Sequence, residues 1–195
     1  MTSANFEKAL VALSNRKFFK NISISRGIER EALRSNLNGV ISKTPHPKSL
    51  GSALTNPFIT TDFAEALIEM VTPTFDTVEG LHSFLENLDF FVKENLNDEI
   101  LWNASMPCEL GHEKQIQIAE YGVSNTGRLK NIYRRGLRER YGSAMQCVSG
   151  IHYNFSLSKK SWQDFLNQNE SNQAEIDKAY FGLIRNVKRN YWLIA

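Results

Sequence analysis

Apolar residues return at helical intervals from Val78 to Glu94, carried by Leu81, Leu85, Leu88 and Val92, and this spacing predicts one amphipathic helix. A second helical pattern covers Phe6 to Phe19, with Phe6, Leu10 and Leu13 on one side. The period shortens between Ile22 and Leu33, where near-alternation predicts a strand, Gly27 interrupts it, and Asn36 to Gly39 supply a turn. Met145 to Leu157 reads as the clearest strand, because Ile151, Tyr153, Phe155 and Leu157 alternate with His152, Asn154 and Ser156. A sheet with one apolar and one polar face is the consequence.

Prolines and glycines make Ser42 to Pro57 a loop, and Ser105 to Lys114 reads the same way. The segment from Phe58 to Thr72 is mixed; a strand from about Ala66 fits its short length and the following Pro73, while a helix with a polar stripe is the alternative. Ser124, Asn125 or Thr126 can cap a helix from about Gly127 to Tyr141, whose buried stripe is expected to be Leu129, Ile132, Tyr133 and Leu137. Beyond a polar linker at Asn167 to Asn172, an amphipathic helix is expected from near Ala174 through Tyr180, Phe181, Ile184, Val187, Tyr191 and Ile194. It reaches Ala195 with no glycine cap or polar tail, so Ala195 is read as a truncation point.

Composition narrows this picture only a little. A 195-residue chain that is 42% hydrophobic suits a globular domain with a sizeable core. Its 23 basic and 21 acidic residues leave a net charge of +2, too small to imply a polyanion partner, so electrostatic specificity has to be local. The first residues lack the apolar core of a secretory signal, and no run reaches the ~20 apolar residues of a membrane span. With two distant cysteines, Cys108 and Cys147, the expectation is a cytoplasmic protein with reduced thiols.

The candidate chemistry lies in acidic residues set where apolar ones are expected. On a strand, Glu29 and Glu31 share a face with alpha carbons roughly 6.6 Å apart and are placed to serve two neighbouring cations; ordinary ion pairs among Arg26, Glu29, Arg30 and Glu31 are the alternative. Glu69 sits inside the apolar run Leu67 to Val71, and Asp62 lies just upstream. Two like charges ~4 Å apart at an effective dielectric near 20 repel by roughly 4 kcal/mol, so carboxylates converging on one site call for a cation or a proton. His152, on the polar face with Asn154 and Ser156, is either a further ligand or a hydrogen-bond partner for phosphate. Oxygen-rich ligands favour magnesium, and a histidine among them makes manganese acceptable. Arg128, Lys130, Arg134, Arg135, Arg138 and Arg140 read by default as a solvated helix face. A nucleic-acid patch, or arginines holding a carboxylate or phosphate, are the sharper alternatives.

The blocks RGIEREALR, HPKSLGSALTNPFITTDFAEALIEMVTP, DEILWNASMPC, IAEYGVSNTGRLKNIYRRGLRERYG and SGIHYNFSL, in this order over residues 26 to 157, resemble the bacterial glutamate–cysteine ligase family of the proteobacterial type. The resemblance implies an α+β, glutamine-synthetase-like fold: a curved antiparallel sheet with flanking helices, incomplete at the C-terminus. Residues 1–195 would then be the N-terminal part of one catalytic domain. It also implies a magnesium- and ATP-dependent ligase, in which ATP phosphorylates the γ-carboxylate of glutamate and the amine of cysteine displaces phosphate. This is the first step of glutathione biosynthesis.

On that pattern Glu29, Glu31, Asp62, Glu69 and His152 hold metal, with Glu29, Glu69 and Arg134 in catalytic roles. Phe63, Tyr133, Arg134 and Gln146 shape the amino-acid pockets. The partners implied are glutamate, cysteine and ATP, with no nucleic acid and no membrane. A non-catalytic metal- or nucleotide-binding module derived from such a ligase is the competing reading, and a nucleic-acid-binding domain is a third.

Overall fold

The computed structural model describes residues 22–166 and 172–193, together with Glu7, Leu10, Val11 and Ser14. Those four are helical, and Leu10 and Val11 are exposed; the rest of the helix expected at Phe6 to Phe19 lies outside the described residues, as does the linker from Asn167 to residue 171. The chain divides into two compact units, residues 26–154 and residues 1–25 with 155–195.

The unit of residues 26–154 is built on an antiparallel sheet. Its strands are β1 (Ile24–Asn36), β2 (Ile59–Thr61), β3 (Leu67–Val71), β4 (Glu99–Trp102) and β5 (Ile151–Leu157), in the order β2-β3-β1-β4, with β5 also paired to β1. Helix α1 (Val78–Glu94) and helix α2 (Asn125–Tyr141) belong to the same unit. The ambiguous segment before Pro73 is therefore two short strands and not a helix. Five residues followed by a proline are too few for a stable helix, and they complete a ladder with β1, in which Leu33 faces Leu67 and Ala32 faces Ile68.

Alternation along the strands sorts the core into two layers. Ala32, Ile68, Met70 and Leu101 pack with Leu88 and Val92 of α1, whereas Leu33 and Leu67 pack with Phe63, Ile116, Cys108 and Cys147. α1 is seated by its cap, where the Thr77 side chain accepts a hydrogen bond from Gly80 N–H at 3.2 Å, and it buries Leu81, Leu88 and Val92. Arg30 reinforces that contact by pairing with Asp89 of α1 and donating to Asn103 Oδ1 at 2.7 Å. Arg34, wholly buried, donates to Glu99 Oε2 at 2.6 Å, Thr44 Oγ1 at 2.6 Å and the carbonyl oxygens of Thr44 and Glu65.

Three expectations are corrected here. The strand placed at Met145 begins only at Ile151, because Met145–Cys147 forms a 3-10 turn that buries Cys147. The buried stripe of α2 is not Leu129, Ile132 and Tyr133, which are 68%, 63% and 63% exposed; the helix buries Gly127 and Asn131, and Leu137 is partly buried. Its inward side is polar because Asn131 donates to the Ala119 carbonyl and to Glu120, fixing the helix through hydrogen bonds. Last, the C-terminal helix ends at Arg189, where Asn190 caps it, and Tyr191–Leu193 form a 3-10 turn. Ile194 and Ala195 lie outside the described residues.

The second unit holds α3 (Lys159–Leu166), which the sequence pattern does not announce, and α4 (Gln173–Arg189). Trp162 meets Tyr180 edge-on with centroids 4.7 Å apart, Ser23 N–H donates to Ser161 Oγ at 3.0 Å, and Asn172 caps α4 by accepting from Glu175 N–H.

Candidate functional site

The layer of the sheet that carries Leu33 and Leu67 continues along the same strands into charge. Glu29 and Glu31 of β1 and Glu69 of β3 all occupy odd positions on this face, and Glu31 stands directly opposite Glu69 in the register. Two like charges in direct cross-strand opposition are unfavourable, so this pairing is stable only with compensation. The alternative of local ion pairs does not occur. Arg26 donates to the Asp76 carbonyl at 2.6 Å and Arg30 turns to α1, so among the described residues the glutamates form no ion pair with an arginine.

What the glutamates do contact comes from β5 and the turn before it. His152 Nδ1 lies 3.2 Å from Glu29 Oε2, Asn154 Nδ2 donates to Glu29 Oε1 at 2.9 Å, and Gly150 N–H donates to Glu31 Oε2 at 2.8 Å. Burial pushes the Glu69 carboxyl up to about 7, with the nearby charges of Asp62, Glu31 and Glu29 adding to the rise and His152 opposing it. Burial likewise raises Glu31 despite the Gly150 hydrogen bond, and Asp62 and Glu29 push in the same direction. The hydrogen bond to Glu29 raises His152, helped by the charges of Glu31, Glu29 and Glu69. Glu29, Glu31, Asp62, Glu69 and His152 thus form one electrostatically coupled group.

Arg134 approaches this group from α2. Its Nε donates to the Asp62 carbonyl, its Nη2 reaches the Thr61 carbonyl at 3.4 Å, and its guanidinium lies over the Tyr121 ring. Arg134 therefore holds the backbone that carries Asp62. Of the other expected pocket residues, Phe63 is 1% exposed and packs between the sheet and Ile116, Tyr133 faces solvent, and Gln146 is half-buried in the 3-10 turn. Sequence reasoning missed Tyr121 and Gly150. Tyr121 precedes a helix read for its caps and its basic residues, and a contact made by the Gly150 backbone leaves no side-chain signal. An open cleft of ≈710 Å³ lined by Glu65, Lys114, Asn131, Arg135 and Arg138 includes none of the five coupled residues.

The donor set fits a hard divalent cation in its chemistry, being rich in oxygen and in uncompensated negative charge. It is not a closed coordination shell: among the described residues, no three or more His, Cys, Asp or Glu are gathered as a metal cluster. Cys108 and Cys147 are free and buried, and burial drives the Cys147 thiol up to about 12, so neither offers a thiolate. Among the described residues no helix is long and apolar enough to cross a membrane.

The fold and this face define an α+β protein whose antiparallel sheet gathers like-charged carboxylates beside a helix-borne arginine. Comparisons with known proteins bear on the family and the fold. The family profile described as glutamate-cysteine ligase matches residues 8–195. Curated glutamate–cysteine ligases from Saccharophagus degradans and Bordetella petrii are 49% and 52% identical over 176 and 169 residues, covering 88% and 87% of this chain but 33% and 32% of theirs. A crystal structure of glutamate–cysteine ligase from Francisella tularensis in complex with AMP superposes with a TM-score of 0.82 at 41% identity, over 89% of this chain and 34% of that one. A bifunctional glutathione synthetase from Pasteurella multocida gives the same TM-score at 31% identity, over 94% and 24%. The chain belongs to the glutamate–cysteine ligase family, and it spans about a third of the length of the curated relatives it matches.

Proposed function

We infer that this chain supplies the carboxylate-bearing part of an ATP-dependent ligase that joins the γ-carboxylate of glutamate to the amine of cysteine. The observation that carries the reading is the cross-strand opposition of Glu31 and Glu69, with Glu69 raised to about 7 in the absence of a compensating cation.

Magnesium held by Glu29, Glu31, Asp62, Glu69 and His152 would neutralise charge on the transferring phosphoryl group. Glu69 is about half protonated near neutrality, so it has to give up that proton to serve as a full ligand. Arg134 keeps the Asp62 backbone fixed against the face, which preserves the spacing of the acidic group. His152 and Asn154 hold the two oxygens of Glu29 and limit its rotation. Phe63 stiffens the wall beneath Asp62, while Tyr133 and Gln146 are the side chains left to meet the amino-acid substrates.

The bonds balance without a protein nucleophile. A γ-carboxylate oxygen takes the terminal phosphoryl group of ATP, ADP leaves, and the cysteine amine then attacks the acyl carbon, expelling phosphate and losing a proton.

Two measurements test this. Calorimetric titration of the 195-residue chain with magnesium or manganese should show binding that Glu69→Gln weakens at least tenfold. Cysteine-dependent ADP release should appear when the chain is fused to the part of the Saccharophagus degradans enzyme it does not cover, and disappear with Glu29→Gln. Full turnover by the Glu29→Gln fusion would overturn the assignment. Metal binding with no turnover by the wild-type fusion would favour the non-catalytic module.

A further inference from the structure

Helical spacing sorts the basic residues of α2. Asn131, Arg135 and Arg138 stand at positions i, i+4 and i+7 and so share one face, whereas Arg134 lies a step around the helix and turns to Asp62. The shared face borders the open cleft of ≈710 Å³, where Lys114 of the 3-10 turn Glu113–Gln115 joins the two arginines. Like charges lining one cleft repel unless opposite charge meets them. The ion pairs among the described residues include neither Lys114 nor Arg135, and Arg138 reaches only Glu139, its exposed neighbour in sequence, at 3.5 Å. Such a solvated contact is worth little. The carboxylates of the cleft are instead engaged by neutral donors. Glu65 is buried and accepts from the backbone N–H groups of His46 at 2.9 Å and Glu120 at 2.8 Å, while Glu120 Oε1 accepts from Asn131 Nδ2 at 3.1 Å. The unmet electrostatic demand of this cleft is therefore for negative charge.

We propose that the cleft between α2 and residues 114–120 binds a small, hydroxyl-rich organic oxyanion, a sugar phosphate or a sugar acid, whose charged oxygens are taken by Arg135, Arg138 and Lys114. Guanidinium forks suit both carboxylate and phosphate, and the two arginines offer them from adjacent turns of one helix. Size argues that the anion carries an organic body, since ≈710 Å³ falls in the range of small-molecule sites and far exceeds the needs of a bare ion. The lining argues for a polar body: Gln115, Gln117 and Asn131 supply amides, and among the described residues no aromatic side chain lines the cleft to stack a nucleobase. The floor is held in place before any ligand arrives. Glu65 N–H donates to the Gln117 carbonyl and Ala119 N–H to that of Phe63, both at 2.9 Å, and Asn131 ties α2 to the Ala119 carbonyl. This site shares none of the five coupled residues and does not rest on the ligase reading.

The test is calorimetric titration of the 195-residue chain, without nucleotide, glutamate or magnesium, using glucose 6-phosphate, gluconate and glucose. These probes share a polyhydroxyl body and carry phosphate, carboxylate or no charge. At least one of the two anions should bind about tenfold or more tighter than glucose, and the tighter of the two identifies the oxyanion. Arg135→Gln and Arg138→Gln should each weaken that binding about tenfold. Both alter exposed positions, so their thermal melts should match that of the wild type; if either melts lower, Lys114→Gln on the facing wall replaces it. Arg128→Gln removes the same charge from α2 outside the cleft lining and should leave binding unchanged. Failure of both anions to bind, an affinity no better than that of glucose, or equal weakening by Arg128→Gln would each overturn the proposal. Binding lost in Glu69→Gln but kept in the arginine variants would place the anion on the carboxylate face and overturn it as well.

Discussion

The Tyr121 ring lies beneath the Arg134 guanidinium, 4.7 Å from centroid to carbon, while its hydroxyl donates to the Thr61 carbonyl at 2.6 Å and accepts from Thr61 Oγ1 at 3.0 Å. One buried side chain thus ties α2 to the turn that carries Asp62. Lys130 shares the ring at 4.9 Å, so two cations rest on it. Tyr121→Phe keeps the platform and strands the buried Thr61 hydroxyl, at a cost of about 1–2 kcal/mol. Tyr121→Leu also removes the platform and should cost more. Urea unfolding of both variants checks the order; equal losses would mean that the ring does not anchor Arg134.

Gly127 lies where α2 begins, and a side chain there has nowhere to go. A Cβ would fall closer than 3.0 Å to the carbonyl oxygens of both Tyr121 and Gly122, which are backbone atoms and cannot swing aside. Gly127→Ala should therefore destabilise the chain by about 1–3 kcal/mol, although alanine is the better helix former. Gly136→Ala on the same helix meets open space and should be neutral or stabilising. Thermal melts of the two variants should show a clear loss for Gly127→Ala and none for Gly136→Ala.

How much of this was legible in the sequence follows from which interactions leave a residue pattern. The bounds of α1 were readable because its buried stripe is apolar and recurs at helical intervals. The strands bearing Glu29, Glu31 and Glu69 were readable because acidic residues interrupt apolar alternation, and the family blocks carried the fold. The orientation of α2 was not, since periodicity assumes that apolar residues turn inward, and here Asn131 and Arg134 do so through hydrogen bonds to backbone carbonyls. Short α3 was invisible for lack of length, and the end of α4 because an asparagine cap is a weak stop signal.

Arg34 and Glu99 form the buried ion pair on which β1 and β4 depend. Burial raises the Glu99 carboxyl, but hydrogen bonds from Ser42 and Thr44 and the charge of Arg34 outweigh it and bring the net shift below the ordinary value. Glu99→Ala leaves a wholly buried guanidinium with only hydroxyl and carbonyl partners, and should cost about 3 kcal/mol. A carboxyl lowered in the folded state stabilises above its unfolded value, and that contribution is lost as the pH falls through the folded one. Acid unfolding should therefore begin at a higher pH in Glu99→Gln than in wild type. Circular dichroism across an acid titration measures the difference.

Glu69 acts in the opposite direction, and its sign gives the sharpest solution test. Its carboxyl moves from 4.5 to about 7 on folding, so the folded chain holds a proton that the unfolded chain releases between those values. Stability from this group is complete below pH 4.5 and declines as pH rises through 7, and the raised Glu31 and His152 add to the same trend. Without metal, the chain should be less stable at pH 8 than at pH 6, by about 1–2 kcal/mol after allowing for partial exposure of the group. Glu69→Gln removes the titration and should flatten much of that slope. If magnesium occupies this face, adding it should restore stability to the wild type at pH 8, do less at pH 6 where protons compete, and do little for Glu69→Gln. Thermal melts at both pH values, with and without magnesium, separate these cases. A metal effect that is undiminished in Glu69→Gln would place the cation elsewhere.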